Sequence, residues 1–181
     1  MTKIDVLDNG FVRLVDSMGS DLSIVRAARV SYNAEWRSGE NERNDIKLIN
    51  YLWRNKHTTP FEAVTFTFEV KAPIFVIRQW HRHRTWSYNE VSGRYSILPN
   101  ECYVPKEDKI GVQSKTNHQS RILDMMNEKA NEVINASAVR LIKKANYEAF
   151  EHYNNLLIMG IPREVARMIL PLNTIRICSQ Q

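Results

Sequence analysis

The chain of 181 residues has only two cysteines, Cys102 and Cys178, far apart and in no CxxC pattern. Their scarcity excludes a disulfide framework and a cysteine-based zinc site, and it makes a reducing cytoplasm the expected compartment. No apolar run approaches the ~18 residues of a membrane span. The opening residues, MTKIDVLDNG, lack the basic-then-apolar form of a signal peptide. Glycine and proline are few, six of each, with no internal repeat and no low-complexity stretch, which leaves a globular composition of a length that suits one domain. Neither sign of charge dominates: 25 basic against 20 acidic residues give +5. So mild an excess fits an anionic partner, and it equally fits a solvated basic face.

What is present reads as a mixture of helices and strands. Two apolar-rich runs flank Asn9-Gly10, a hairpin signal. Residues 21–32 carry a helical pattern with Asp21 as its expected N-cap, and a polar loop follows over 33–42. A second helix is expected over 44–56, with Ile46, Ile49, Leu52 and Trp53 on one face and His57 just past its end. TPFE (59–62) has the form of a capping box, with Thr59 as N-cap, Pro60 first and Glu62 third. VTFTFEV (64–70) alternates strictly and reads as a strand. The stretch 73–84 is expected to be a helix begun by Pro73, apolar early and basic late, as the helix dipole favours. ECYVP (101–105) suggests a short strand.

No glycine or proline occurs from 118 to 159. Leu123, Met126, Ala130, Val133, Ile134, Leu141, Ile142, Ala145, Ala149, Tyr153, Leu156 and Leu157 recur there at helical spacings. One long helix or two abutting ones are expected, with Asn135–Ser137 the weakest link. Residues 162–170 read as a short final helix closed by Pro171. The last residues, LNTIRICSQQ, hold no further element long enough to pack well.

The chemistry concentrates in RHRTWSYNEVSGRY, residues 82–95. Between Arg78 and Arg94 lie four arginines, with His81 and His83, opposed only by Glu90. A solvated helix end does not account for Trp80, Trp86, Tyr88 and Tyr95 among them. A basic, aromatic nucleic-acid patch is an alternative, but the charge is confined to one segment and the whole-chain excess is small. His81 and His83 alone make no metal site: no third ligand has suitable spacing, and neighbouring arginines repel a cation. A compact site for a phosphorylated small molecule fits best. Arginine grips phosphate bidentately, and Ser92-Gly93 suits a turn whose backbone N–H groups approach anionic oxygens.

The same stretch resembles the signature of the flavin-dependent thymidylate synthases, RHRxxSxNExSxRY. Every fixed position is matched, by Arg82, His83, Arg84, Ser87, Asn89, Glu90, Ser92, Arg94 and Tyr95. LVDSMGSDLSIVRAARVSY, HTTPFE, FTFEVKAPIFVIRQW and GIPREVARMILPLN are similar to that family in order and spacing. The likeness covers almost the whole chain, least so residues 106–120 and the long helix after them.

The resemblance implies an α+β fold, with long helices and a small, mostly antiparallel sheet. It implies methylation of dUMP to dTMP, with the carbon from methylenetetrahydrofolate and the electrons from NADPH through bound FAD, and no cysteine nucleophile. It implies a homotetramer with active sites between subunits. By motif, dUMP falls to Gln79, Arg82, Glu90, Ser92, Gly93, Arg94 and Arg167. FAD falls to Ser31, His57, Thr59, Arg82, His83, Arg84, Asn89 and Glu90. No metal is implied.

Two departures stand out. Ala63 occupies a position where the family often has histidine. After PLN, family members continue through further elements that supply another FAD-binding group and an arginine that favours ionisation at N3 of the uracil. Here the sequence runs TIRICSQQ and stops, so no catalytic residue is assigned within 1–181. Loss of such a donor costs on the order of 10²–10³ in rate. The expectation is a single domain without the family's C-terminal segment, with weak or no synthase activity alone, as an incomplete or non-catalytic piece of that enzyme.

Overall fold

The computed structural model describes residues 2–122 and 128–180. β1 (Lys3–Val6) and β2 (Gly10–Met18) form the expected hairpin, with Val6 opposite Gly10. The turn is not a two-residue Asn-Gly turn. Leu7, Asp8 and Asn9 make it, and Leu7 takes the left-handed conformation at φ 56°. Gly10 is required for a different reason. A Cβ there would stand 2.7 Å from the Val6 carbonyl oxygen and 3.0 Å from that of Lys71.

α1 (Asp21–Val30) follows, and its N-cap is Ser20, not Asp21: the extended Ser20 N–H donates to Ser23 Oγ at 3.1 Å. α2 (Glu42–Arg54) starts at Asn41, whose side chain accepts from the Asn44 N–H. Its buried side is Leu52 and Asp45, whereas Ile46 and Trp53 are exposed. The four-residue face read from the pattern is therefore turned largely outward.

The TPFE segment is a 3-10 turn, Thr59–Ala63, with Thr58 as its cap residue. Phe61 N–H donates to the Thr58 carbonyl, and no side chain caps the turn, so the capping-box reading with Thr59 does not hold. β3 (Thr65–Pro73) covers the strand read from alternation except Val64, which ends the 3-10 turn, and extends it to Pro73. Pro73 also serves as the N-cap of α3 (Ile74–Trp80), which ends sooner than the pattern suggested; residues 81–84 form a turn.

β4 (Tyr88–Glu90) comes next. The 101–105 segment is no strand and makes one bridge, Cys102 to Thr174. Residues 118–122 are not helical. They belong to a small hairpin of β5 (Val112–Gln113) and β6 (Arg121–Ile122). Leu123, Met126 and the side chain of Ala130 lie outside the described residues. α4 (Glu128–Ile158) is one unbroken helix through Asn135–Ser137. α5 (Arg163–Ala166) and a 3-10 turn, Arg167–Ile169, complete the helical part.

The last stretch overturns its expectation. Residues Ile175–Gln180 are β7, and this strand is interior. The sheet order is β1-β2-β3-β7-β4, every pairing antiparallel. A strand flanked on both sides gains two ladders, and the face carrying Arg176, Cys178 and Gln180 is buried, so six residues suffice for it to pack.

One core lies under the sheet: Val70, Ala72, Ile77 and Cys178, with Phe68, Trp80 and Tyr88 against them. A second gathers Leu98, Phe150, Tyr153 and Ala166 beside α4 and α5. On α4 the residues turned into this chain are Val139, Asn146, Phe150 and Tyr153, while Val133, Ile134 and Leu141 are exposed. The apolar positions of this helix thus divide between a buried and an exposed side. Among the described residues no helix is long and apolar enough to cross a membrane.

Candidate functional site

The basic segment is built by three elements in sequence. α3 ends at Trp80, the turn 81–84 follows, and β4 returns to pair with β7, Asn89 opposite Ser179 and Glu90 opposite Cys178. The Tyr88 hydroxyl lies 2.8 Å from the His83 carbonyl oxygen and 3.0 Å from that of Trp80, so its single proton is shared between them. This ties the turn to β4. Arg82, His83 and Arg84 are left exposed at the surface, and among the described residues neither arginine has an acidic partner. Gln79 lies on the exposed side of the last turn of α3. Burial is the first cause that raises the Tyr88 hydroxyl's pKa, and the Cys178 thiol beside it adds to the effect.

Beyond β4 the chain turns at Ser92, whose hydroxyl accepts from the Arg94 N–H at 3.2 Å. Gly93 is buried where the sheet meets the second core. A Cβ on it would stand 3.0 Å from Leu98 Cδ1, 3.2 Å from Arg167 Cδ and 3.3 Å from Arg176 Nη1. Leu98 fixes the far end of this loop, its N–H donating to the Tyr153 hydroxyl at 3.2 Å. Arg94 pairs with Glu164 of α5, Nε to Oε2, at 3.1 Å with both side chains exposed. Glu90, Ser92, Gly93, Arg94 and Arg167 are therefore gathered in one place, from β4, the loop after it and the α5 turn.

Two further residues stand among them that the sequence reading missed, Glu164 and Arg176. Arg176 projects from β7 and is only 8% exposed. Its Nε is 3.8 Å from Glu90 Oε1. Burial pushes its pKa down, Glu90 opposes that, and Arg167 adds to it. The available signal was the β-branched alternation of Ile175 and Ile177 after the Asn173-Thr174 turn, a short strand pattern.

Ser31, His57 and Thr59 form a separate group at the ends of α1 and α2 and the start of the 3-10 turn. Ser31 is the C-cap residue of α1. α2 closes with a Schellman arrangement: Lys56, left-handed at φ 56°, donates its N–H to the Trp53 carbonyl, and the His57 N–H donates to that of Leu52 at 2.9 Å. The His57 ring then stands edge-on to Tyr51 at 6.0 Å. No hydrogen bond or ion pair among the described residues links this group to the Gly93 cluster within one chain.

Neither cysteine is poised as a nucleophile. Burial raises the thiol pKa of both, opposed at Cys102 by a hydrogen bond with Thr174 and reinforced at Cys178 by the Glu90 carboxylate. A raised folded-state pKa contributes stability that is complete below the unfolded thiol's value and is lost as pH rises through the folded one. Iodoacetamide at neutral pH is expected to leave Cys178 unlabelled in the folded chain. Labelling at the rate of a free thiol would contradict this placement.

The family described as thymidylate synthase complementing protein matches residues 13–177. The flavin-dependent thymidylate synthase of Thermus thermophilus is 51% identical over 170 residues, covering 94% of this chain and 58% of that protein. That of Treponema denticola is 51% identical over 169 residues, covering 93% and 61%. A crystal structure of the UMP/dUMP methylase PolB from Streptomyces cacaoi, bound with 5-Br UMP, superposes with a TM-score of 0.78 at 37% identity. That match covers 95% of this chain and 70% of the other. The chain thus spans 58% of the Thermus relative's length.

Proposed function

The chain belongs to the flavin-dependent thymidylate synthase family, and from that premise we propose that it serves the reductive methylation of dUMP to dTMP. In this reading methylenetetrahydrofolate supplies the carbon and NADPH the reducing electrons. The observation that carries the proposal is the Gly93 cluster. A glycine without a side chain sits between the Arg167 side chain and the Arg176 guanidinium, beside the Ser92 hydroxyl, whose proton is free to donate, a set of groups suited to a nucleotide phosphate.

Gln79, Arg82, Glu90, Ser92, Gly93, Arg94 and Arg167 hold dUMP. Arg94 and Arg167 meet the phosphate, and Glu164 pairs with the Arg94 guanidinium at its Nε. Ser31, His57, Thr59, Arg82, His83, Arg84, Asn89 and Glu90 hold FAD. Arg82 and Arg84, exposed and without an acidic partner among the described residues, suit its pyrophosphate, and when bound it supplies the electron relay between NADPH and the transferred carbon. These are binding and positioning roles. The tied turn at 81–84 orients the cations, and Glu90 accepts hydrogen bonds from ligand or arginine.

In this reading residues 1–181 are a single domain that works in the cytoplasm and assembles as a homotetramer whose subunits share active sites. Trp36, Trp53 and the outer side of α4 are apolar surfaces of the kind such an assembly covers. It also brings the Ser31–His57–Thr59 group of one subunit to the Gly93 cluster of another.

Arg94→Ala is expected to weaken dUMP binding about 10- to 100-fold, the range for a lost charge-assisted hydrogen bond. Calorimetric titration checks it, with a yellow, FAD-loaded protein as the companion observation. A colourless protein that takes up neither FAD nor dUMP would overturn the proposal.

A further inference from the structure

We propose that Arg176 is a second anchor for the phosphate monoester, forming with Arg167 a pair of guanidinium groups that close on the anion beside Gly93. The inference rests on the dUMP reading above and deepens it. It begins with a side chain in the wrong place for its chemistry. Arginine is almost never fully buried unless paired. Arg176 is 8% exposed, and neither its Nε nor its Nη1 has a hydrogen-bond partner among the described residues. The nearest carboxylate, Glu90, stands at 3.8 Å, an ion-pair distance too long for a hydrogen bond.

A purely structural arginine would spend its donors on carbonyls or a carboxylate. Nε and Nη1 of Arg176 are spent on none among the described residues, and Nη1 lies 3.3 Å from the position of the missing Cβ of Gly93. Cδ of Arg167 comes within 3.2 Å of that same position. Arg176 thus carries its charge in a buried place with the half-buried Arg167 side chain beside it, a costly arrangement unless an anion joins them.

The charges nearby indicate which anion. Arg94 is matched by Glu164 and Arg176 is opposed at a distance by Glu90, whereas Arg167 has no acidic partner among the described residues. A neutral uracil carbonyl would leave that charge uncompensated, and a phosphate dianion would neutralise it. Gly93 supplies the clearance: a Cβ there would fill the point that lies 3.2 Å from Arg167 Cδ and 3.3 Å from Arg176 Nη1. β7 is the reason Arg176 can do this. It holds the side chain in the sheet interior beside β4, so the donor is fixed before any ligand arrives.

The test compares wild type, Arg176→Met and Arg176→Lys by calorimetric titration with dUMP and with deoxyuridine, and by thermal unfolding with and without inorganic phosphate. Arg176→Met should bind dUMP at least ~10-fold more weakly, the loss expected for a charged hydrogen bond. Its affinity for deoxyuridine, which lacks the phosphate, should be unchanged. Its unliganded Tm should equal or exceed that of wild type, because a buried charge opposed only at a distance by Glu90 has been removed, and the rise in Tm that phosphate causes in wild type should vanish. Arg176→Lys should recover part of the dUMP affinity.

Parallel losses for dUMP and deoxyuridine would place Arg176 at the ring and overturn the proposal. So would unchanged dUMP affinity together with a lower Tm, the signature of a structural arginine. If Arg176→Met does not fold, Gly93→Ala reads the same space. Its backbone is outside the left-handed region, and the added methyl would reach between the two side chains. It should weaken dUMP and spare deoxyuridine, and an unchanged dUMP affinity would count against the clamp. A wild type that binds no dUMP but gains Tm with phosphate, with Arg176→Met gaining none, would sink the dUMP reading and leave the anion clamp standing. A wild type that responds to neither overturns both.

Discussion

A chain stopped at Thr174 is expected to lose its cooperative unfolding transition altogether. β7 pairs with β3 from Ile175 opposite Pro73 to Gln180 opposite Phe68, and with β4 from Cys178 opposite Glu90 to Gln180 opposite Tyr88. Its removal strips ladder partners from both neighbours. It opens the core of Val70, Ala72 and Ile77, which Cys178 completes. Burial of Ile175 alone is worth about 1.5–3 kcal/mol. Each backbone group left buried and unpaired costs about 1–3 kcal/mol. A domain holds only about 5–15 kcal/mol in total, so a few such losses exhaust it. β4 would also lose its only strand partner among the described residues, and the signature segment would lose its support. Circular dichroism with thermal unfolding checks this. A sharp transition near that of the full chain would show that β7 is dispensable and would remove the structural basis for Arg176.

Asp45→Ala is expected to cost about 3–5 kcal/mol, the penalty for breaking a buried ion pair from one side. Asp45 is 4% exposed and lies 2.6 Å from Arg29 Nη2, whose side chain is itself largely covered. The other carboxylate oxygen accepts the Gly39 N–H at 2.8 Å. One residue thus joins α1, α2 and the loop between them. Without it Arg29 remains buried without a counter-charge, and Gly39, left-handed at φ 93°, loses its acceptor. Asp45→Asn should cost less, because it keeps an acceptor for Gly39. Urea unfolding at constant slope reads both values. A loss below about 1 kcal/mol for Asp45→Ala would mean that the pair behaves like an exposed one. The site consequence is local: Ser31 and His57 stand at the ends of these two helices, and their relative placement depends on this join.

Much of the candidate site was legible before any coordinates. The spacing in residues 82–95 is a property of the chain, so arginines, Glu90 and Gly93 could be named as parts of one site from order alone. Arg176 and Glu164 could not. Glu164 reads as an ordinary helix carboxylate until α5 sets it against Arg94. Arg176 reads as a charge near the end of a segment with nothing to pack on. The capping errors have a similar origin. Ser20 and Asp21, and Thr58 and Thr59, are adjacent candidates of equal chemistry, and backbone geometry alone separates them.

The sequence by itself determined the family, the β1–β2 hairpin, β3, the helices α1 to α3 and the long α4, because each rests on contacts or preferences within a few residues. The tertiary structure decided three things: that β7 is interior, that α4 turns Val139, Phe150 and Tyr153 inward and leaves Leu141 outside, and that Arg176 is buried against Gly93. The physical reason is that burial is a relation between distant segments. Ile175–Gln180 is a weak strand on its own, and it becomes the middle of a sheet only when β3 and β4 flank it.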